Sequence, residues 1–508
     1  MDQHTDFWYT IGGEVLSIRE LLPNEASPST PLHVIDSIYG TELFCNPWGS
    51  GSELALTRAL AYAADRASQR AQQPIRLARA IEVLEALQTH LEAEVARGLD
   101  TPVVRTYMDL KGVPISEIRE NVEMLRTMLL DLQGDQASLR AMLDTENPSE
   151  FFATHDVIPK FGLVASGNLG LSDTAILIWT GILAQAARNG NQFSLTIKPS
   201  IYDCLFHQLI HLLPEDVRAA FSRITWRSEE DIIPDSTLMT KLVNGVDGAI
   251  YFGHRNTLLR FRHLVRNDRQ HHYFYYDHFP IMILLPGVEP KLIEASARLA
   301  TTLAYKQRGE ACLSLQDVFI HKEVYDEFMS AVVQEWRRVR AASGDPKADD
   351  ALLPSYSRAH LEEMARLREK LDGAVMGRVY PQDNRTDLLV NHEIAVDNWV
   401  LATENAAPLL CITAFSRQDH LLQMLRRHLQ NSSSDKFIYT LIVSPEGRDQ
   451  LTALCNGLEP VSHRLEVLTS AQAIGGFKAY ALGIPHCGGI SFLADMFGLP
   501  HREACYLV

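Results

Sequence analysis

Cysteine is scarce and badly placed for pairing. The seven cysteines, Cys45, Cys204, Cys312, Cys411, Cys455, Cys487 and Cys505, are odd in number, scattered and never spaced Cys-x-x-Cys, which argues against a disulfide framework and against a zinc site. Long apolar runs are also missing. The stretch 175–187 is interrupted by Thr180, Gly181 and Gln185 and falls short of the ~20 residues that a membrane-spanning helix needs. The start, Met1-Asp2-Gln3-His4, has no basic region followed by an apolar core, so no cleaved secretion signal is expected and the expected setting is cytoplasmic. Positive charge is in deficit, with 47 Lys and Arg against 63 Asp and Glu and a net charge of −16. Nucleic acid, whose binding relies on clustered Lys and Arg, is therefore not an expected partner. Neither Gly-x-Gly-x-x-Gly after a strand nor Gly-x-x-x-x-Gly-Lys-Ser/Thr occurs, so a nucleotide would have to be held without the usual glycine cradles.

What is present is a globular composition, 46% hydrophobic and 22% charged over 508 residues, with room for two or three domains. The first ~50 residues are rich in Pro, Ser and Gly and read as an extended segment with short strands. Leu77, Ile81, Leu84, Leu87, Leu91 and Val95 form one apolar stripe after Pro74, with Gly98 as the stop, and Ile118, Val122, Leu125 and Leu129 form another after Pro114 and Ser116, predicting two helices. From residue 161 short apolar runs at 161–165, 193–197, 223–226, 249–252 and 281–285 alternate with helical stretches at 174–187 and 202–213. That alternation predicts βαβ units and a doubly wound, largely parallel sheet. Runs at 318–321, 409–413 and 437–443, alternating with helices at 324–341 and 420–428, predict a second α/β domain. Residues 344–350 read as an exposed loop.

The densest chemical signal is the stretch 305–321, where Cys312 follows Gly309 between a helix and an apolar strand. A thiol on such a turn can reach a ligand, its reactivity set by access and by its ionisation. A cysteine without such a setting is more often a small core hydrophobe. His271, His272 and His278 lie in an aromatic run with no acidic or cysteine partner at ligand spacing, so no metal is expected. His486 and Cys487 read as structural lining.

The order of these features resembles the aldehyde dehydrogenase superfamily. Gln307-Arg308-Gly309-Glu310-Ala311-Cys312 is similar to that family's Asn-Gln-Gly-Gln-x-Cys turn, and Tyr325-Asp326-Glu327-Phe328 to its following helix start. Gly167-Asn168-Leu169-Gly170 resembles its Trp-Asn-Phe-Pro turn, Lys198-Pro199-Ser200 its Lys-Pro-Ser, and Glu404-Asn405-Ala406-Ala407-Pro408 part of its Glu-x-Phe-Gly-Pro segment. The resemblance implies an α/β, aldehyde dehydrogenase-like fold: a Rossmann-type cofactor domain over 1–280 with an oligomerisation hairpin at about 140–160, an α/β catalytic domain over 281–484 carrying Cys312, and an oligomerisation tail over 485–508. It implies Cys312 as nucleophile and the Asn168 side-chain amide with the Cys312 N–H as oxyanion donors. It implies Lys198, Ser200, Gly253, His254 and Glu404 as contacts to NAD(H) or NADP(H), and a homodimer or homotetramer.

The departures are informative. Aldehyde-oxidising members carry a Glu about 34 residues before the cysteine that activates water, whereas 273–280 here reads Tyr-Phe-Tyr-Tyr-Asp-His-Phe-Pro. His278 or Asp277 is the candidate replacement; aligning Pro280 with the family's proline puts Phe274 there instead. A missing hydrolytic base suits an enzyme whose thioester partner is a thiol carrier, and Gly253-His254-Arg255 and Cys312-Leu313-Ser314-Leu315-Gln316 resemble the acyl-CoA reductase, or long-chain fatty-acid reductase, branch. The expected activity is reduction of an acyl thioester, on coenzyme A or an acyl carrier protein, to an aldehyde. The alternatives are oxidation of an aldehyde to an acid and a catalytically silent scaffold. Against the net acidity, local positive charge for an anionic ligand is expected at Lys198, Arg255 and Arg308.

Overall fold

A computed structural model of the chain describes residues 5–6, 9–16, 32–36, 42–47, 50–69, 73–98, 101–133, 156–200, 205–226, 237–253, 264–265, 271–275, 279–341, 353–395, 398–402, 405–431, 436–477 and 491–497. Its contacts divide the chain into two units, Met1–Leu110 with Arg119–Tyr276 and Gly488–Ala504, and Lys111–Ile118 with Asp277–Cys487 and Cys505–Val508. The loop at 344–350 lies outside the described residues, as do the hairpin expected at about 140–160 and the tail expected at 485–508, apart from 156–160 and 491–497.

In the first unit β1 (Thr5–Asp6), β4 (Leu32–Asp36) and β5 (Glu42–Pro47) make a small sheet in the order β1-β5-β4. The main sheet takes β2 (Tyr9–Ile11), β3 (Glu14–Leu16), β6 (Lys160–Val164), β7 (Ser194–Lys198), β8 (Phe221–Arg223), β9 (Gly248–Phe252) and β10 (His271–Tyr275) in the order β10-β9-β6-β7-β8-β2-β3. Strands β10 to β8 in that order run parallel, while β2 is antiparallel to β8 and to β3. The inner strands are mostly apolar because helices cover both faces, although Ser194, Thr196, Ser222 and Arg223 are buried in them as well. Helix Leu171–Ala184, which returns the chain from β6 to β7, is buried at every residue but Asp173, as a helix apolar all round must be. Tyr9, Leu56, Val164, Trp226, Leu242 and Tyr251 belong to one apolar cluster here.

Two local expectations shift. The helix expected from Pro74 begins at Leu77, with Arg76 still extended, and ends as expected at Gly98, whose N–H bonds the Val95 carbonyl. Its buried face is Ala80, Val83, Leu84, Leu87, Gln88, Leu91 and Glu94, rotated from the expected stripe so that Leu77, Ile81 and Val95 fall at its margin. The strand expected at 223–226 is Phe221–Arg223, because pairing of Phe221 with Leu195 and of Arg223 with Ile197 sets its register. The chain then leaves the sheet, and the Ser52 hydroxyl donates to the Thr225 carbonyl at 3.0 Å.

The second unit holds β11 (Phe279–Leu284), β12 (Asp317–His321), β13 (Ala374–Met376), β16 (Leu389–His392), β17 (Leu409–Phe415), β18 (Phe437–Val443) and β19 (Ser462–Leu468), ordered β13-β16-β17-β12-β11-β18-β19. All neighbours are parallel except the edge pair β13 and β16, and β14 (Val379–Tyr380) with β15 (Arg385–Thr386) forms a separate hairpin. The pairing of β11 with β18 slips between Phe279 and Ile281, where Pro280 has no N–H to give the ladder. Strands β11, β12 and β18 are buried throughout.

Candidate active site

Cys312 lies on the connection from helix Pro290–Tyr305 to β12. The chain turns there by placing three successive residues in the left-handed region, Gln307 at φ 45°, Arg308 at φ 65° and Gly309 at φ 75°. For a non-glycine residue that conformation costs roughly 1–2 kcal/mol and persists only where the surroundings impose it. Here they do. The Gln307 N–H donates to Glu117 Oε1 at 2.9 Å, the Tyr356 hydroxyl to the Arg308 carbonyl at 3.2 Å, and the Ser314 hydroxyl to the Lys306 carbonyl at 2.8 Å. Beyond the cysteine, the buried Tyr439 hydroxyl donates to the Leu313 carbonyl at 2.8 Å. Cys312 itself is half-buried, whereas Cys411 and Cys455 are buried thiols, and burial pushes the Cys411 thiol well above its usual range, with Asp317 adding to the shift.

Charge reinforces the turn. Arg308 pairs with Glu310 at 2.6 Å, and the other Glu310 oxygen faces His360 Nδ1 at 2.9 Å. Burial alone would raise the Glu310 carboxyl, but Arg308 and His360 outweigh it and hold it at about 2. His360 Nε2 lies 2.8 Å from the Ala406 carbonyl oxygen, and Gln316 and Asn405 bond each other through side-chain amide and backbone. Gly309 packs directly against the segment 405–408: a Cβ there would lie 2.3 Å from the Ala407 carbonyl carbon and 2.4 Å from Pro408 N. The cysteine turn and the segment 405–408 are thus built against each other, and only glycine fits between them. Glu404, which precedes that segment, lies outside the described residues, as do His254, Arg255, Asp277 and His278.

Deeper in this unit, Asp317 and His428 are buried with Nε2 and Oδ2 3.5 Å apart. Burial pushes Asp317 well above the usual carboxylate range and pulls His428 down to about 4. Aromatic rings of Phe279, Phe319 and Phe437 surround the imidazole.

In the first unit the other candidates share one sheet edge. Because β6, β7, β8 and β9 are parallel, Asn168, Lys198 with Ser200, Trp226 and Gly253 all lie at or just past the carboxyl ends of those strands, the edge at which doubly wound sheets receive ligands. The Ser166 hydroxyl donates to Asn168 Oδ1, which holds the amide's oxygen. Lys198 Nζ stands 5.4 Å over the Trp226 ring. A Cβ on Gly167 would come within 3.1 Å of Ser200 Oγ, so glycine keeps that turn open. Helix Leu171–Ala184 begins beside it, its first N–H groups taken by Asp173 and by the Tyr107 hydroxyl. Among the described residues no cluster of His, Cys, Asp and Glu could hold a metal, and no helix is long and apolar enough to cross a membrane.

Solved structures share this fold over nearly the whole chain. Aldehyde dehydrogenase C from Pseudomonas syringae, a cysteine-to-alanine mutant in complex with NAD+ and octanal, is 14% identical, with 96% of this chain and 92% of that chain covered at a TM-score of 0.68. Aldehyde dehydrogenase 21 from Physcomitrella patens, in complex with the reaction product succinate, is 12% identical over 97% and 96% at a TM-score of 0.67. The 3,6-anhydro-L-galactose dehydrogenase in complex with NAP is 16% identical over 91% of each chain at 0.66.

The fold is the aldehyde dehydrogenase fold. A model of the aldehyde dehydrogenase family matches residues 288–427, which contain helix Pro290–Tyr305, the Cys312 turn, β12 and the segment 405–408 of this aldehyde dehydrogenase-like chain. The match leaves the sheet edge with Asn168 and Lys198 outside. No curated protein matches by sequence. The structure also supplies residues that sequence reading missed: Glu117, Tyr356, His360 and Tyr439 all hold the cysteine turn. Only the acidic residue at position 310, where the motif has Gln, hinted at a charged partner.

Proposed function

We propose that the chain is a nicotinamide-dependent oxidoreductase of the aldehyde dehydrogenase superfamily that works through a thioester on Cys312. The observation that carries this reading is the Cys312 turn, in which left-handed backbone, Gly309 and the clamps from Glu117, Tyr356 and Tyr439 hold a half-buried thiol in one geometry. Ordinary packing of a small hydrophobe needs no such strain.

In this reading the Cys312 thiolate adds to a carbonyl carbon and the carbonyl electron pair moves to oxygen. The Cys312 N–H and the Asn168 amide NH₂ are the donors assigned to that oxyanion. In the reductive direction collapse expels the carrier thiolate, which takes up a proton, and leaves the acyl group on Sγ. When bound, NAD(H) or NADP(H) supplies hydride to the carbon held on Cys312, or takes it. Cleavage of the C–S bond then frees the aldehyde and returns the thiolate. The first unit's sheet edge fits such a cofactor: the open turn at Gly167, the Lys198 ammonium and the Ser200 hydroxyl lie together there, and Lys198, Ser200, Gly253 and His254, with Glu404, are the residues that would hold it.

Reduction of an acyl thioester is favoured by the absence of any Glu in 273–280, since an enzyme that hands its acyl group to a thiol needs no water-activating base. Aldehyde oxidation, with His278 as base, is the second reading, and it draws on the solved relative holding NAD+ and octanal. Both are tested by following nicotinamide absorbance with an acyl-CoA plus NADPH and with an aldehyde plus NAD+, beside Cys312→Ser. Thioester reduction lost in the variant supports the first reading and aldehyde oxidation alone the second. Turnover that survives in Cys312→Ser refutes both, and no turnover in any pairing leaves a silent scaffold.

A further inference from the structure

His360 stands in the first turn of helix Arg358–Lys370, where its N–H bonds the Ser357 hydroxyl at 3.3 Å. Its ring faces two acceptors, Glu310 Oε1 at 2.9 Å from Nδ1 and the Ala406 carbonyl oxygen at 2.8 Å from Nε2. A carbonyl oxygen and an ionised carboxylate only accept, and a neutral imidazole has a single N–H. Both contacts are made together only by an imidazolium. We propose that His360 is a positioning residue for Cys312, a protonated bridge that ties the cysteine turn to the segment 405–408 and opens on the Ala406 side when it loses its proton. This inference rests on the reading of Cys312 as the nucleophile.

The order of opening follows from charge. The bond to the Glu310 carboxylate is charge-assisted and the one to the carbonyl is weaker, so the remaining N–H stays on Nδ1 and the bare Nε2 lone pair then faces the Ala406 oxygen. The charged and titratable groups that face the ring are Glu310, with Arg308 behind it on the same turn, and Tyr356, whose ring meets the imidazole edge-on at 5.5 Å. The segment 405–408, Asn-Ala-Ala-Pro, presents no titratable side chain. A glutamine at position 310, as in the family's motif, would donate its amide to Nδ1 and let a neutral ring give its one N–H to Ala406. Glu310 makes the same joint depend on a proton.

The test uses the full-length protein from about pH 5.5 to 9, a range that brackets histidine titration. Two quantities are read: the rate at which iodoacetamide alkylates Cys312, by mass spectrometry, and hydrogen exchange of the backbone amides within 405–409, those of Asn405, Ala406, Ala407 and Leu409, corrected for the intrinsic pH dependence of exchange. In the unsubstituted protein, protection at 405–409 is expected to fall about fivefold as pH rises, the loss of one hydrogen bond, and the alkylation profile to carry an inflection beyond that of the thiolate. His360→Gln should show the low protection and neither step at any pH. Glu310→Gln should keep the high protection across the range. Superimposable profiles for the unsubstituted protein and His360→Gln overturn the proposal, as does a Glu310→Gln profile that keeps the step. Since Glu310→Gln removes the partner of Arg308, exchange in the unsubstituted protein decides independently of that variant: flat protection at 405–409 refutes the bridge. Cys312→Ser separates the two levels, because turnover retained in that variant sinks the nucleophile while the His360 result stands.

Discussion

Replacing Gly309 with Ala isolates the steric demand of the cysteine turn. Gly309 and Gly287 share φ +75° and belong to the same unit, so an added Cβ meets the same left-handed penalty at both, roughly 1–2 kcal/mol, partly offset by the stiffer unfolded chain. They differ in what the Cβ touches. At Gly287 its one near neighbour is Pro445 Cγ at 3.7 Å, ordinary contact; at Gly309 it would lie 2.3 to 2.4 Å from the Ala407 carbonyl carbon and oxygen and from Pro408 N. These are backbone atoms, so relief requires moving the segment 405–408 or the turn itself, at a cost of about 1–3 kcal/mol for overpacking. With ~2–4 °C of melting temperature per kcal/mol for a unit of this size, Gly309→Ala should melt about 2–12 °C below Gly287→Ala. Calorimetry of the two variants under one scan rate measures the gap. The same displacement should change the rate of Cys312 alkylation in Gly309→Ala and leave it unaltered in Gly287→Ala. Equal melting temperatures together with equal alkylation rates would refute the claim that this glycine sets the geometry of the thiol.

Tyr439→Phe should lower stability by about 1–3 kcal/mol, the cost of leaving the buried Leu313 carbonyl without its donor; an unchanged denaturant midpoint would show that this bond anchors nothing. Glu310, held at about 2 from its ordinary 4.5, contributes stability that is complete above pH 4.5 and is lost as pH falls toward 2. Acid titration of the unfolding free energy should therefore be shallower for Glu310→Gln over that window, and identical slopes would contradict the ion pairs with Arg308 and His360. Asp317 has the opposite sign, since burial raises its folded value above 3.8 and the unsubstituted protein loses stability as pH rises through the raised value. The stability of Asp317→Asn relative to it should grow with pH, and a relative stability that shrinks instead would mean an ionised Asp317 against a protonated His428.

The parallel strands were legible in the sequence because burial on both faces selects short, mostly apolar runs, as in Phe-Ile-Tyr-Thr-Leu-Ile-Val of β18. Strands at the margins were not. Strand β19, Ser-His-Arg-Leu-Glu-Val-Leu, is buried only at Ser462, Leu465 and Leu468, a spacing of three that mimics a helix face, and β13 and β16 are short pieces whose pairing with each other no local pattern announces. The cysteine turn was legible because its signal is contiguous: glycine, then cysteine three residues on, between two apolar elements. Its clamps were not, because Glu117 and Tyr356 reach it from 190 and 48 residues away, and a tyrosine destined to donate to a carbonyl looks like any other core aromatic. Pairing across such distances is a property of the sheet order, which brings β18 beside β11 and so Tyr439 to the turn that leads into β12.

The departures of this turn from the aldehyde dehydrogenase motif make sense as a pair. Where the motif reads Asn-Gln-Gly-Gln, this chain has Gln307-Arg308-Gly309-Glu310, with a cation and an anion at the places of two neutral amides. Either change alone would bury an unmatched charge at positions that are 12% and 15% exposed, a loss of several kcal/mol. Together they neutralise each other at 2.6 Å and leave the backbone path to Gly309, the one position that tolerates no substitution in kind. The second carboxylate oxygen then needs a donor, and His360 supplies it. With Glu310 charged, its second oxygen and the Ala406 carbonyl both call for a donor from the His360 ring, two N–H groups that only an imidazolium supplies.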